Sequence, residues 1–444
     1  MGRFHNFQQS TGAPANSHLH SVDQSKKHNT IDSQLNYSGD VAPLDSITPD
    51  YICFSHLRWD FVYQRPQHLL SRCARDRRVF YVEEPVFSIT EPKMEVTRRD
   101  CGVHIVTPHL PCNLSDLEIT ATLQALVIDD LLIDHNIKEY VLWYYTPMAL
   151  SFTECLEPLA IIYDCMDELS AFKNPPKGLK ELEAELLRKA DLVFTGGHSL
   201  YQAKRHLHSN IHPFPSGIDG SHFRKARLGI KEPDDQASLP HPRIGFFGVI
   251  DERFDIELLD GLAKHEPEWQ FVIVGPVVKI DAEDLPIHPN IYYTGPKSYQ
   301  ELPNYLSGWD VAMLPFARND STRFISPTKT PEYLAAGVPV ISTSIQDVVR
   351  PYAQNGLVKI ADTVDDFVVA ARFLMSESFN RADWVKKVDD TLLYNSWDLT
   401  WARMSTLIDA ALEFRYPETE DHLSQVSSQT SPRKSISVSP ALGD

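Results

Sequence analysis

Short apolar runs recur along the middle of this chain, each closed by glycine, proline or a charge. The first half reads YICF (51–54), VFYVEEP (79–85), GVHIVTP (102–108), YVLWYYTP (140–147), AIIYDCMDE (160–168) and DLVFTGG (191–197). The second half reads RIGFFGVI (243–250), WQFVIVGP (269–276), NIYYTGP (290–296), DVAMLPF (310–316), VPVIST (338–343) and GLVKI (356–360). Runs this short, rich in β-branched and aromatic residues and bounded by turn signals, read as buried strands. Between several of them the period lengthens to that of a helix. The clearest case is KGLKELEAELLRKA (177–190), which sets Leu179, Leu182, Leu186 and Leu187 on one face. Strands alternating with helices in this way predict parallel α/β sheets.

The texture divides the chain. Residues 1–48 and 417–444 are polar and Ser-rich with few large apolar groups, so both are expected to be disordered tails. A first Rossmann-like domain is expected over 49–226. A polar, proline-bearing linker follows over 227–241, then a second Rossmann-like domain over 242–395. A terminal helix over 396–416 has apolar residues at helical spacing.

Composition narrows the function. The chain has 444 residues, too many for one ordinary core. Sixty acidic against 42 basic side chains give a net charge of −18, which repels phosphate backbones and argues against nucleic acid as a partner. The six cysteines form no C-x-x-C pair, so free thiols in a reduced, cytoplasmic setting are expected and a zinc site is not. The N-terminus has no apolar core of a secretory signal, and no apolar run is long enough to span a membrane. Arg72, Arg75, Arg77 and Arg78 could bring peripheral contact with anionic lipid at the inner face of a membrane, although a solvated helix end is the simpler reading.

The most informative stretch is FISPTKTPEYLAAGVPVIST (324–343), which reads as polar loop, helix start, short helix, glycine stop and buried strand. Lys329 and Glu332 stand at the helix start, where N–H groups are unpaired and the dipole favours an anion. A cation and a carboxylate one turn apart suit a diphosphate beside a ribose. The stretch resembles the nucleotide-sugar signature of group 1, family-four-like glycosyltransferases, retaining enzymes of the GT-B fold. The run WDFVYQRPQ (59–67) resembles the N-terminal region of bacterial polysaccharide glycosyltransferases of the teichuronic-acid type.

The resemblance covers roughly residues 50–415. It implies two Rossmann-like, doubly wound α/β domains facing a central cleft, with the terminal helix crossing back to brace the first. It also implies transfer of a sugar from a nucleoside-diphosphate sugar to a glycan or lipid-linked acceptor, without cofactor or metal. Lys329 and Arg253 are then expected to offset diphosphate charge, and Glu332 to hold the ribose. Gly248, Gly275, Tyr293, Thr294, Ser326 and Thr328 are expected to line the donor site. Asp164 and Asp167 end an apolar strand, and either could bind sugar hydroxyls, act as a base or cap a helix; Asp164 is the catalytic candidate. His56, Trp59, Asp60 and Arg65 form a polar-aromatic loop expected to meet the acceptor. Phe324 stands where the family commonly has the first of two glutamates. A nucleotide-sugar epimerase and a non-catalytic nucleotide-sugar-binding protein are the alternative readings.

Overall fold

The computed structural model describes residues 48–88 and 91–415, so the two expected tails lie outside the described residues except for Thr48. The apolar runs form the strands β1 (Asp50–Phe54), β2 (Val79–Val82), β3 (Val86–Ser88), β4 (Lys93–Arg98), β5 (His104–Pro111), β6 (Tyr140–Tyr144), β7 (Ala160–Cys165), β8 (Leu192–Thr195) and β9 (Ile211–Pro213). They build a nine-stranded sheet in the order β3-β5-β2-β1-β6-β7-β8-β9, with β4 antiparallel on β5 and every other pair parallel.

The second sheet holds β10 (Arg243–Phe247), β11 (Gln270–Val274), β12 (Ile291–Gly295), β13 (Val311–Leu314), β14 (Val340–Ser342) and β15 (Val358–Ile360). Its order is β12-β11-β10-β13-β14-β15, all parallel. Both sheets are wound outward from their first strand. The chain reverses direction beside β1 in one and beside β10 in the other, and doubly wound sheets bind ligands outside the carboxyl ends of their strands at such points.

Both faces of each sheet are covered, which is why the strands read as continuous apolar runs. Along β1, Ile52 and Phe54 enter one core cluster while Tyr51 and Cys53 enter the other. Along β10, Ile244 and Phe246 pack on one side and Phe247 on the opposite side. The amphipathic helix Leu179–Lys189 buries Leu179, Leu186 and Leu187, as the periodicity predicts.

The stretch 227–241 is packed rather than extended. Gln236 is fully buried; its Nε2 donates to the Tyr305 carbonyl (3.0 Å) and its Oε1 accepts from Trp309 Nε1 (2.8 Å). The terminal helix, Trp397–Arg415, lays Trp397, Met404 and Ile408 into the first sheet's core. Arg415 pairs with Asp191 at 2.6 Å, and the Trp397 ring stacks on His68 with centroids 4.6 Å apart.

The arginines near residue 75 have protein partners. Arg72 and Arg75 pair with Asp398, Arg78 with Asp50, and Arg77 donates to the Tyr51 hydroxyl at 3.1 Å. These contacts give the solvated helix-end reading a structural basis. Among the described residues no helix is long and apolar enough to cross a membrane.

The two halves meet edge to edge across the carboxyl ends of their sheets. Phe324 reaches from the second half onto the first half's core. Phe172 of the first half is bracketed by two cations of the second, Arg253 at 5.3 Å and Lys279 at 5.2 Å. Asp347 accepts from the Ser199 N–H at 2.9 Å across the same junction.

Candidate functional site

The expected donor side is built from strand ends that close on one another. Beyond β10 and β11 the chain turns at Gly248 (φ +140°) and Gly275 (φ +144°), backbone conformations that favour glycine. The Gly248 N–H donates to the Val274 carbonyl (2.8 Å) and the Gly275 N–H to the Gly295 carbonyl (2.9 Å), so three loops are tied into one wall. A Cβ on Gly275 would strike the Gly248 carbonyl, and a Cβ on Gly248 would strike Lys329 Cε. Glycine at 248 therefore makes the room in which the lysine lies.

Lys329 opens the helix Lys329–Ala335 and lies with its ammonium 5.8 Å from the Phe246 ring centroid. It makes no hydrogen bond or ion pair within the described residues. Its pKa is lowered by burial and by the nearby Arg253 charge, with Glu332 opposing that shift. Glu332, one turn on, is buried and also without a hydrogen-bonded partner; burial raises its pKa and Lys329 lowers it. The Thr330 hydroxyl next to Lys329, the Tyr299 hydroxyl and the Thr294 hydroxyl near the end of β12 are also buried and unpartnered. Tyr299 is close enough to Glu332 for that carboxylate to help raise its pKa, after burial. Unpaired buried polar groups cost about 1–3 kcal/mol each, so several in one place describe a site built for a ligand.

The other donor-side residues divide. Arg253 is on the cleft wall, but its fork is occupied by Asp251, with Nε 3.0 Å from Oδ1 and Nη2 2.6 Å from Oδ2. A phosphate could take both arms of the fork only by displacing that carboxylate. Tyr293 is partly exposed and donates to the Pro286 carbonyl at 3.1 Å; burial lifts its pKa to about 12. Ser326 packs against Gly197 of the first half, where a Cβ would meet it. Thr328 precedes the helix without making a capping bond.

On the first half several expectations need correction. Asp164 is fully enclosed and is held by Arg65, whose Nε lies 2.9 Å from Oδ2 and whose Nη2 lies 2.9 Å from Oδ1. Arg65 also donates from Nη1 to the Phe214 carbonyl at 2.7 Å. Each satisfies the other inside the protein, so neither is presented to a substrate. The carboxylate that faces the cleft is Asp167, two residues beyond β7. It has no side-chain hydrogen bond, and it lies opposite Arg253, Asp251 and Lys329. Burial raises its pKa, with Asp251 adding to the shift and Arg253, Lys329 and Arg65 opposing it.

Trp59 is a core residue, packed edge-on against Tyr81 with centroids 5.1 Å apart. Asp60 points to solvent and pairs with Arg99 at 2.6 Å. Of the four acceptor-side expectations only His56 stays at the cleft. Its Nδ1 is buried and unpartnered, and burial together with Lys279 lowers its pKa to about 4.

Phe324, in the place of the expected glutamate, is half-buried against the first half's core, with Arg323 over its ring at 5.1 Å. It holds the two halves together there. Sequence reasoning missed Glu84, which follows β2 beside the His56 strand, and Lys279, which comes from the other half. The one signal available was the charged VFYVEEP ending after β2.

Comparison with known proteins bears directly on this arrangement. Residues 241–377 match the family described as Glycosyl transferases group 1. TuaH of Bacillus subtilis (strain 168), a protein named for glycosyl transfer in teichuronic acid biosynthesis, is 24% identical over 267 residues. The match covers 55% of this chain and 65% of TuaH, a little under two thirds of the relative's length. Among solved structures, a sucrose-phosphate synthase from Thermosynechococcus elongatus aligns with a TM-score of 0.61 at 14% identity, over 82% of this chain and 99% of its own. An α,α-trehalose-phosphate synthase (UDP-forming) from Burkholderia xenovorans, in complex with glucose-6-phosphate, aligns at 0.61 and 11% identity, over 81% and 100%. At such identities these likenesses show the fold, which is the two-sheet GT-B arrangement expected from the sequence.

Proposed function

We propose that this protein transfers a sugar from a nucleoside-diphosphate sugar to a glycan or lipid-linked acceptor in the assembly of a surface polysaccharide or glycolipid. The observation that carries the reading is the desolvated, unpaired Lys329 beside the unpaired Glu332. In this reading the lysine takes the diphosphate and the carboxylate takes the ribose hydroxyls. The Thr294 and Tyr299 hydroxyls add polar contacts to the nucleotide.

As the bond from sugar to diphosphate breaks, negative charge grows on the leaving oxygen. Lys329 is already in place to meet it, in surroundings where that attraction is stronger than in water. Such fixed charge does the work a divalent ion does elsewhere, so the proposed reaction needs no metal. Retention of configuration follows from the resemblance to retaining group 1 enzymes. Asp167 is the carboxylate available to hydrogen-bond the transferred sugar. Closure of the two halves would exclude water and favour transfer over hydrolysis. The relative named for teichuronic acid synthesis supports a polysaccharide product.

Phe324 favours a second reading, of a protein that binds a nucleotide sugar without turning it over, because an apolar contact stands where a donor-side glutamate is common. Incubation with UDP-, GDP- and ADP-sugars, with and without membrane and glycan extracts, separates the two. Release of nucleoside diphosphate by wild type and its loss in Lys329→Met support transfer. Binding without release supports the second reading, and no binding of any nucleotide overturns both.

A further inference from the structure

β1 and β2 lie side by side in parallel, with Phe54 opposite Val82. Each is followed two residues later by a polar side chain, His56 after one and Glu84 after the other. Glu84 is half-buried and makes no hydrogen bond or ion pair within the described residues, unlike Glu83, which pairs with Arg58 at 2.9 Å. From the second half comes Lys279, close enough to shift the pKa values of both His56 and Glu84. Among the described residues Lys279 also has no ion pair, and it lies over the Phe172 ring. Its backbone is held at φ +65°, a conformation that costs a non-glycine residue about 1–2 kcal/mol and collects at functional sites.

The hydrogen-bonding character of this cluster is specific. Burial and Lys279 disfavour the protonated form of the His56 ring. Nδ1, buried and without a partner, is free to exchange one hydrogen bond with a hydroxyl. Glu84 is a second group able to accept. A sugar offers hydroxyl hydrogens to both. A phosphate dianion offers only acceptors, and it would meet the Glu84 carboxylate where the two nearby cations, Arg58 and Lys279, are already balanced by Glu83 and Glu84.

We propose that His56, Glu84 and Lys279 seat the acceptor, and that they select an unphosphorylated sugar presenting adjacent hydroxyls over a sugar phosphate. This rests on the glycosyl-transfer reading above.

The test titrates a panel of p-nitrophenyl glycosides and, separately, glucose 6-phosphate into the full chain, followed by saturation-transfer NMR. Both titrations are run with and without whichever of UDP, GDP or ADP raises its Tm. At least one glycoside is expected to bind wild type more tightly than glucose 6-phosphate. Glu84→Gln and His56→Ala should each weaken that glycoside about tenfold, the scale of one lost hydrogen bond to a buried or charged group. The nucleotide-induced Tm shift should stay unchanged in both variants. Failure of wild type to bind any glycoside overturns the proposal, as does unaltered binding in both variants or a preference for glucose 6-phosphate that Lys279→Ala abolishes. A missing nucleotide shift counts against the donor reading alone, because the glycoside titration is read independently of it.

Discussion

The two walls of the cleft use the same residue types to opposite ends. On the first wall Arg65 and Asp164 form a closed, buried ion pair, Trp59 fills the core, and Asp60 is paired with Arg99 at the surface. On the second wall Lys329 and Glu332 stand one turn apart, and neither has a hydrogen-bonded partner. A charged residue in a strand-end loop is therefore weak evidence of a site. What separates structure from function here is whether the charge is already answered within the fold.

That contrast is most sharply tested at Arg65. Arg65→Met strands the Asp164 carboxylate in the interior, and removing one partner of a buried pair costs about 3–5 kcal/mol. Urea denaturation should show a loss of that size, while the molecules that remain folded still bind nucleotide. A loss of nucleotide affinity without a loss of stability would place Arg65 in the site and erase the contrast.

A pH series probes the opposite wall. The Lys329 pKa is lowered in the free protein, and a bound diphosphate raises it again, so binding takes up a proton between the two values. Nucleotide affinity should therefore fall as pH rises above the lowered pKa, by up to about 1.4 kcal/mol per pH unit. Glu332 is one of the groups holding that pKa up. Glu332→Gln should accordingly move the alkaline fall to lower pH, and calorimetry across pH 6–10 measures it. A fall that Glu332→Gln leaves in place would detach it from the lysine.

Gly248→Ala should have a smaller effect. The alanine must adopt a backbone conformation that disfavours side chains, at about 1–3 kcal/mol, and its methyl displaces Lys329. Both stability and nucleotide affinity should fall together in parallel thermal and binding measurements. Smallest of all, Asp60→Asn removes an exposed pair worth about 0–1 kcal/mol and should leave Tm and sugar binding nearly unchanged. A marked loss of sugar binding would return Asp60 to the acceptor site.

The fold was legible because its strands are covered on both faces, which writes each one as an apolar run ending in a turn. β4, KMEVTR, escaped that reading: it is an antiparallel edge strand with alternating exposed positions and charges at both ends. β3 and β9 are three-residue edge strands, too short to show a period. On the donor side the glycine ends and the Lys329/Glu332 spacing were visible because backbone conformation and helical turn tie them to sequence. The choice of Asp167 over Asp164 was not visible. It depends on Arg65, 99 residues away in the chain, occupying Asp164. Lys279 was equally hidden, since its role comes from the opposing half of the molecule.

The central claim is that the unpaired groups around Lys329 form a nucleoside-diphosphate site, and calorimetric titration of UDP, GDP and ADP into wild type and Lys329→Met tests it most directly. One of the three is expected to bind wild type, and Lys329→Met to weaken it by about 1.5–3 kcal/mol, roughly ten- to a hundredfold. The melting temperature of the variant should be unchanged or raised, because a desolvated and unpaired charge has been removed. Equal affinity in the two proteins, or no binding by wild type, would contradict it.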